Sequence, residues 1–402
     1  MSILSNRLNR FKPSLTVKIS QKARELQNKG KEIISLSSGE PDFDTPDHIK
    51  KEGIKAINDG FTKYTSVDGV LTLKESIQKK FKIENNLNYS TNQITVGVGG
   101  KHVIYNLFMS TVDKGDEIII PAPYWVSYPD IVSLCNGKPV LMDTLSENKF
   151  KITPNELEKK ITKKTKWLVI NSPSNPTGSC YSEDELYEIS KVLMKYEGVN
   201  ILSDDIYEHL IYENIKFFNI LNVEPKLYNR TFIVNGVSKA FSMTGWRIGY
   251  GAGSEDIIKS IQKIQSQSTT NPTSISQIAA MKALNSEKVF LNDWIIKFKE
   301  RRDFVVEKFN NIHGLRCFKP EGAFYVFVSC EGLIGKMTPS GEKIVSDLDF
   351  ASYLLESQGV AVVPGSAFGK SPYFRISYAA SMELLVKACD RISKAITGLS
   401  EK

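Results

Sequence analysis

A lysine and an arginine, eight residues apart, follow one apolar segment and could together do covalent chemistry. The segment 231–234 is largely apolar and predicts a buried strand. Gly236 and Ser238 follow it, and then come Lys239 and Arg247. A lysine amine can attack an aldehyde carbon and an arginine suits a phosphate, so this stretch could hold an aldehyde cofactor that carries a phosphate. A solvated lysine in a surface loop is the other interpretation, and this stretch alone leaves both open.

Four other apolar segments also end in residues that carry reactive or binding groups. Because the carboxyl ends of parallel strands meet at one edge of a sheet, a parallel arrangement would bring these groups to Lys239. Taken singly, each has a plainer explanation, such as core packing for Trp125 or a helix cap for Asp204. The segments and the residues after them are 94–98 with Gly100 and Lys101, 117–120 with Trp125, 167–170 with Asn175, and 200–202 with Asp204 and Tyr207.

The glycine turn at 99–101 lies between a predicted strand and a helix predicted over 103–112. Free N–H groups at the start of a helix bind anions, and the helix dipole adds to the attraction. The turn is not a dinucleotide-binding motif, because His102 stands where the third glycine should be. It also lacks the Gly-Lys-Ser/Thr ending of a P-loop. The sequence thus predicts an anion site of another kind.

Strand and helix patterns alternate through residues 45–286, which predicts a large α/β domain with a mainly parallel sheet flanked by helices. One of these helices is predicted over 183–195. The pattern after residue 287 is α+β in character and includes a helix predicted over 347–358. We expect residues 1–44 to join residues 287–402 in a smaller α+β domain.

Composition excludes several classes of protein. The 402 residues carry a net charge of +7, and their lysines alternate with acids, so no nucleic-acid partner is expected. No apolar run reaches about 18 residues, so no membrane span is expected. The five cysteines are far apart and odd in number, which favours reduced thiols and a cytoplasmic protein. The four histidines have no metal-ligand spacing, and we predict no metal site.

Four motifs, in this order and spacing, give the chain a family resemblance over nearly its whole length. It resembles the fold-type I, class I aminotransferases that use pyridoxal 5'-phosphate, and within them the aspartate/prephenate aminotransferase branch. The motifs are Asn175-Pro176-Thr177-Gly178, Ser203-Asp204-Asp205-Ile206-Tyr207, Ser238-Lys239 with Arg247, and Phe374-Arg375-Ile376-Ser377.

The resemblance implies roles for the groups around the cofactor ring. Lys239 would bond to the cofactor aldehyde and, once displaced by substrate, act as the general base. Asp204 would face the pyridine nitrogen and keep it protonated, so that the ring can accept electrons from the substrate. Tyr207 and Asn175 would hydrogen-bond the ring hydroxyl oxygen, and Trp125 would stack on the ring beside the substrate.

The resemblance also implies how the cofactor phosphate is held. Arg247, Ser238 and the backbone of Gly100 and Lys101 would bind it. Tyr64 would reach the phosphate of a neighbouring subunit, which implies a homodimer with shared active sites. The family often has a hydroxyl residue three positions before the lysine, where this chain has Gly236, so the phosphate is expected to have one donor fewer there.

Substrate binding is implied in the same way. Arg375 would pair with the substrate α-carboxylate, helped by Asn175 and the backbone of Gly39. That clamp favours loss of the Cα proton over decarboxylation. The candidates for a second, distal carboxylate are Lys101, Ser14 and Thr16. Lys12 occupies the position that goes with accepting prephenate in this branch, although it could equally be a solvated lysine.

The expected reaction is transamination between L-aspartate and 2-oxoglutarate, giving oxaloacetate and L-glutamate by a ping-pong mechanism. Conversion of prephenate to arogenate is expected as a side activity. The alternatives are an aromatic or alanine aminotransferase, or a C–S lyase of the same fold. A transcription regulator built on this fold would need an added DNA-binding domain, for which we expect no room.

Overall fold

The computed structural model describes residues 3–11 and 15–401, without the side chains of residues 15–18 and 20. Within those residues it has thirteen α-helices: α1 Leu15–Asn28, α2 Asp47–Asn58, α3 Leu71–Glu84, α4 Gly100–Thr111, α5 Ser127–Leu134, α6 Pro154–Lys160, α7 Glu183–Lys195, α8 Ile220–Val223, α9 Glu255–Ser266, α10 Ser274–Asn285, α11 Val289–Asn310, α12 Asp347–Gln358 and α13 Met382–Thr397.

The same part of the chain has thirteen strands: β1 Ile34–Ser35, β2 Ile94–Gly97, β3 Glu117–Ala122, β4 Lys138–Asp143, β5 Thr165–Asn171, β6 Asn200–Asp204, β7 Thr231–Gly236, β8 Gly249–Ala252, β9 Arg316–Cys317, β10 Tyr325–Ser329, β11 Val360–Ala361, β12 Val363–Pro364 and β13 Tyr373–Ser377. Short 3₁₀ helices lie at Asn6–Arg10, Thr91–Gln93, Ser146–Asn148, Pro225–Arg230, Thr244–Trp246, Glu331–Leu333 and Gly365–Phe368.

Seven strands form one large sheet in the order β2-β8-β7-β6-β5-β3-β4. Its pairs are parallel except for those of β8, which runs antiparallel to both β2 and β7. The predicted α/β class with a mainly parallel sheet is therefore confirmed. Alternate residues of each strand point to opposite faces of the sheet, and helices cover the apolar side chains on both faces. Ile118 and Ile120 pack in one apolar cluster, whereas Ile119 packs in the other.

The reversed strand β8 explains how Arg247 reaches the predicted edge. Arg247 precedes β8 in the chain, and the amino end of an antiparallel strand lies at the carboxyl edge of its neighbours. Gly249, the first residue of β8, packs so closely on the glycine turn that a Cβ there would lie 2.2 Å from the backbone nitrogen of Gly100.

A second sheet is built from other parts of the chain. Strands β12, β13, β10 and β9 form an antiparallel sheet, and β1 pairs in parallel with β11. All of these strands fall in residues 1–44 and 287–402, whereas the large sheet lies within residues 45–286. One buried apolar cluster includes residues of both sheets, such as Ile233 and Val326. The exact domain boundaries stay a prediction.

Two further observations concern the surface and the thiols. No helix in the described ranges is long and apolar enough to cross a membrane. All five cysteines are buried and free of disulfide bonds.

Candidate active site

The exits of β2, β3, β5, β6 and β7 line one cleft of about 530 Å³. The second sheet and the segment after β1 close its other side. Of the predicted site residues, the cleft is lined by Gly39, Gly100, Lys101, Trp125, Asn175, Asp204, Tyr207, Ser238, Lys239, Arg247 and Arg375. The structure thus brings together groups that are spread over more than 330 positions of the sequence.

Lys239 lies at the centre of the cleft, five residues beyond the predicted strand. Its ammonium donates a hydrogen bond to the carbonyl oxygen of Gly39. Burial lowers the pKa of this amine from 10.5 to about 8; the carboxylate of Glu40 opposes the shift, and the charge of Arg375 adds to it. The free amine, which is the nucleophilic and basic form, is therefore available closer to neutral pH than in an ordinary lysine.

Asp204, the last residue of β6, is buried at the floor of the cleft. Its carboxylate accepts hydrogen bonds from the hydroxyl of Tyr128 at 2.6 Å and from the backbone nitrogen of Ile206 at 3.3 Å. Burial raises the pKa of Asp204 to about 6, and these bonds hold it from rising further. A cation placed beside Asp204 would favour its charged form.

The glycine turn and Arg247 form a cradle of positive charge. Gly99 has φ 86°, in the left-handed region, and precedes the first residue of α4. The guanidinium of Arg247 donates to the carbonyl oxygens of Thr244 at 2.8 Å and Val98 at 3.3 Å. A Cβ on Gly99 would lie only 2.5 Å from Arg247, so any larger residue at position 99 would fill the cradle. Ser238, also predicted here, is buried nearby in the same cleft.

Arg375 lies in β13 and is held in place by two hydrogen bonds. Its guanidinium donates to the side chain of Asn175 at 3.0 Å and to the carbonyl oxygen of Ser37 at 2.7 Å. The guanidinium also stacks on two aromatic rings: its carbon lies 4.4 Å from the ring centre of Tyr325 and 5.0 Å from that of Phe368. The buried Nε atom of Arg375 has no hydrogen-bond partner in the part of the chain that the structure describes.

Lys101, in the first turn of α4, is exposed to the cleft. Its ammonium lies 5.1 Å from the ring centre of Trp125. Partial desolvation, followed by the charge of Arg247, lowers the pKa of this amine.

Four cations line the cleft: Lys101, Lys239, Arg247 and Arg375. Among the residues that the structure describes, none of the four has a carboxylate oxygen within the 4.0 Å of an ion pair. Three acidic residues, Glu40, Asp130 and Asp204, line the cleft as well, so its cations outnumber its acids by one and the cleft suits an anionic ligand.

Four predicted site residues either lie outside the cleft or have no described side chain. Tyr64 is 91% exposed and does not line the cleft of its own chain. Lys12 and Ser14 lie outside the described residues. Thr16 belongs to α1, but its side chain is not among those described.

Three cleft residues with well-defined partners were missed by the sequence reasoning. Tyr128 bonds Asp204, Tyr325 bonds the hydroxyl of Tyr207 at 2.8 Å, and Asn171 accepts from the backbone nitrogen of Asn175 at 2.9 Å. Tyr128 follows Trp125 by three residues, a spacing that could have flagged it. No local signal marks Tyr325, because its contact joins two segments that are far apart in sequence.

A second ionic cluster lies outside the cleft. Glu84, Glu208 and His209 bring three possible metal ligands within 4.8 Å of one another. Ammonium groups already neutralise it, since Lys80 pairs with Glu208 and Lys288 pairs with Glu84. Its charge is therefore balanced without an ion.

Comparison with known proteins identifies the family of the chain. The profile of the family described as aminotransferase class I and II matches residues 31–392. A probable aspartate/prephenate aminotransferase from Rickettsia felis is 55% identical over all of this chain and 98% of its own length. The aspartate/prephenate aminotransferase from Cereibacter sphaeroides is 52% identical over the whole of both chains.

Solved structures agree with this result. The crystal structure of the aspartate aminotransferase from Rhizobium meliloti has a TM-score of 0.97 and 48% identity, and covers all of both chains. The Thermus thermophilus aspartate aminotransferase, solved with maleate, has a TM-score of 0.91 and 39% identity over 98% of this chain and all of that one. This fold-type I chain therefore belongs to the class I and II aminotransferase family.

Proposed function

We propose that the cleft binds pyridoxal 5'-phosphate and catalyses transamination between L-aspartate and 2-oxoglutarate. The observation that carries this proposal is the set of four cations around the buried Asp204, none of which forms an ion pair with a described residue. The cofactor fits that set. Its phosphate suits the Gly99–Arg247 cradle, its pyridine nitrogen suits the buried carboxylate of Asp204, and its aldehyde suits Lys239.

The cofactor, when bound, supplies an electron-accepting ring that eases loss of the substrate's Cα proton. The chain supplies the rest. The amine of Lys239, with its lowered pKa, takes the proton from Cα and returns it during transfer of the amino group. Arg375 orients Cα by holding the α-carboxylate. Tyr207 and Asn175 would donate hydrogen bonds to the ring oxygen of the cofactor, and Trp125 would pack on its ring.

The substrate side of the proposal rests on Lys101. The phosphate would occupy Arg247 and the α-carboxylate Arg375, which leaves the exposed ammonium of Lys101 for a distal carboxylate. The relatives named as aspartate aminotransferases support a dicarboxylate substrate, and so does maleate, a dicarboxylate, in the Thermus thermophilus structure. We further propose that Ser14 and Thr16 contribute to this subsite.

A second activity, conversion of prephenate to arogenate, is proposed because several relatives carry aspartate/prephenate in their names. Lys12 is its proposed determinant. If Lys12 serves prephenate specifically, Lys12→Ala should lower the rate with prephenate and leave the rate with oxaloacetate unchanged. Equal effects on both acceptors would contradict that assignment.

We also propose a homodimer with shared active sites, in which Tyr64 reaches the phosphate bound by the partner subunit. The 91% exposure of Tyr64 leaves its side chain free to contact a partner subunit. The domain division at residues 45–286, with 1–44 and 287–402 in the smaller unit, is part of the same proposal.

The decisive experiment is the absorption spectrum of the protein with pyridoxal 5'-phosphate, before and after L-aspartate. We expect a near-visible band that disappears as the amino group moves to the cofactor, and oxaloacetate in equal amount. The Lys239→Ala variant is the control, and its turnover should be lost. Unchanged turnover in that variant, or a band that ignores aspartate, would refute the proposal.

A further inference from the structure

Tyr325 lies next to three predicted site residues, Tyr207, Gly39 and Arg375. Tyr325 begins β10 in the smaller sheet and is fully buried. Its hydroxyl lies 2.8 Å from the hydroxyl of Tyr207, which follows β6 of the large sheet. A Cβ on Gly39 would lie 3.0 Å from the same oxygen. Arg375 stacks on the ring of Tyr325, with its guanidinium carbon 4.4 Å from the ring centre.

Hydrogen-bond donors decide how the two hydroxyls must be arranged. Each phenol has one hydrogen to donate. Neither hydroxyl has another protein partner among the residues with described side chains. If Tyr207 donated to Tyr325, its lone pairs would face the cleft. If Tyr325 donates to Tyr207, the hydrogen of Tyr207 is free to point into the cleft.

The surroundings favour Tyr325 as the donor. Burial raises the pKa of both phenols, so each keeps its hydrogen at neutral pH. The positive charge of Arg375 lowers the pKa of both hydroxyls, but its guanidinium stacks on the ring of Tyr325, which favours donation from that hydroxyl. A hydrogen bond that Tyr325 donates to Tyr207 would in turn strengthen the bond that Tyr207 donates, because chained hydrogen bonds polarise one another.

We propose that Tyr325 is a positioning residue that directs the hydroxyl of Tyr207 to donate into the cleft. This inference rests on the proposed function, in which Tyr207 donates to the ring oxygen of pyridoxal 5'-phosphate. The role differs from that of Tyr207 itself, because Tyr325 acts on the cofactor only through its neighbour.

The test is Tyr325→Phe, which removes the hydroxyl and keeps a ring beside Arg375. With cofactor bound, a weaker bond from Tyr207 leaves more negative charge on the ring oxygen, which then holds its proton to a higher pH. The midpoint of the visible absorbance titration should therefore move up by about half a unit. The same shift should be absent when Tyr325→Phe is made in a Tyr207→Phe background, since the effect passes through Tyr207.

Tyr378→Phe provides a matched control. Tyr378 is as deeply buried as Tyr325, and its hydroxyl lies 3.2 Å from that of another tyrosine, Tyr212, outside the cleft. Because the hydroxyl of Tyr378 also donates to the carbonyl oxygen of Ala323 at 3.2 Å, Tyr378→Phe should lose at least as much stability in urea as Tyr325→Phe, but it should leave the titration midpoint unchanged.

Three results would count against the inference. An unchanged midpoint in Tyr325→Phe overturns it, and so does an equal shift in the Tyr207→Phe background or in Tyr378→Phe. In these cases the proposed function stands, because the visible band and its response to aspartate are measured separately. A protein that forms no visible band with pyridoxal 5'-phosphate overturns the proposed function and this inference together.

Discussion

The assignment of Lys101 to the distal carboxylate can be tested by changing only its charge. Lys101→Met keeps an unbranched apolar stem beside Trp125 and removes the ammonium that faces the cleft. A hydrogen bond to a charged group contributes about 1.5–3 kcal/mol. At about 1.4 kcal/mol per factor of ten, kcat/KM for aspartate should fall roughly 10- to 150-fold.

The assay must isolate the amino donor, because 2-oxoglutarate has a distal carboxylate of its own. We would therefore follow the visible absorbance of the cofactor-loaded protein in single turnovers with aspartate, glutamate, alanine and phenylalanine. The rates with aspartate and glutamate should fall by the full roughly 10- to 150-fold. Alanine and phenylalanine, which have no distal carboxylate, should change by no more than about twofold.

A matched control is Lys114→Met, which makes the same substitution at an exposed lysine outside the cleft. It should leave all four donors unaffected. An equal loss for all four donors in Lys101→Met would refute the reasoning, because Lys101 would then serve a feature that every donor shares, such as the cofactor phosphate.

Three further predictions follow from other contacts. Arg247→Gln should weaken binding of pyridoxal 5'-phosphate roughly 10- to 150-fold but leave binding of pyridoxal, which has no phosphate, unaffected. Equal weakening for both ligands in a fluorescence titration would contradict the assignment of Arg247 to the phosphate. In cofactor-free protein, labelling of Lys239 by an aldehyde reagent should rise with pH and reach its midpoint at about 8, since only the neutral amine reacts. Mass spectrometry would locate the label. A midpoint at the usual 10.5 would refute the lowered pKa. Lys80→Met leaves the buried carboxylate of Glu208 without its cation and should lower the free energy of unfolding in urea by about 3–5 kcal/mol, whereas the loss should be smaller when Glu208→Gln is added.

Local signals made some elements predictable to the residue. Helices α7 and α12 have the predicted bounds, 183–195 and 347–358. Ser182 and Glu185 form a capping box at the start of α7, and Gly359 ends α12 in the left-handed conformation with φ 67°. The shared edge of the strand exits was predictable too, because it follows from a parallel sheet and needs no knowledge of strand order.

Contacts between distant segments could not be predicted from local signals. The antiparallel direction of β8 depends on its pairing with β2 and β7, and the bond between Tyr325 and Tyr207 joins positions 118 residues apart. The expectation that the phosphate has one donor fewer at Gly236 stays a prediction, but the structure shows that this position is crowded. A Cβ there would lie 3.0 Å from the carbonyl oxygen of Ile248, so a side chain at this position has little room.

The cations of the cleft have a consequence for the stability of the protein. Folding brings Lys101, Lys239, Arg247 and Arg375 into one cleft, and the acidic residues there, Glu40, Asp130 and Asp204, offset only part of their mutual repulsion. A polyanionic cofactor that binds only the folded state relieves this repulsion and adds about 4 kcal/mol of stability at a thousand times its dissociation constant. Inorganic phosphate should do the same more weakly. The melting temperature should then report cofactor loading, and the folded fraction should depend on the supply of cofactor.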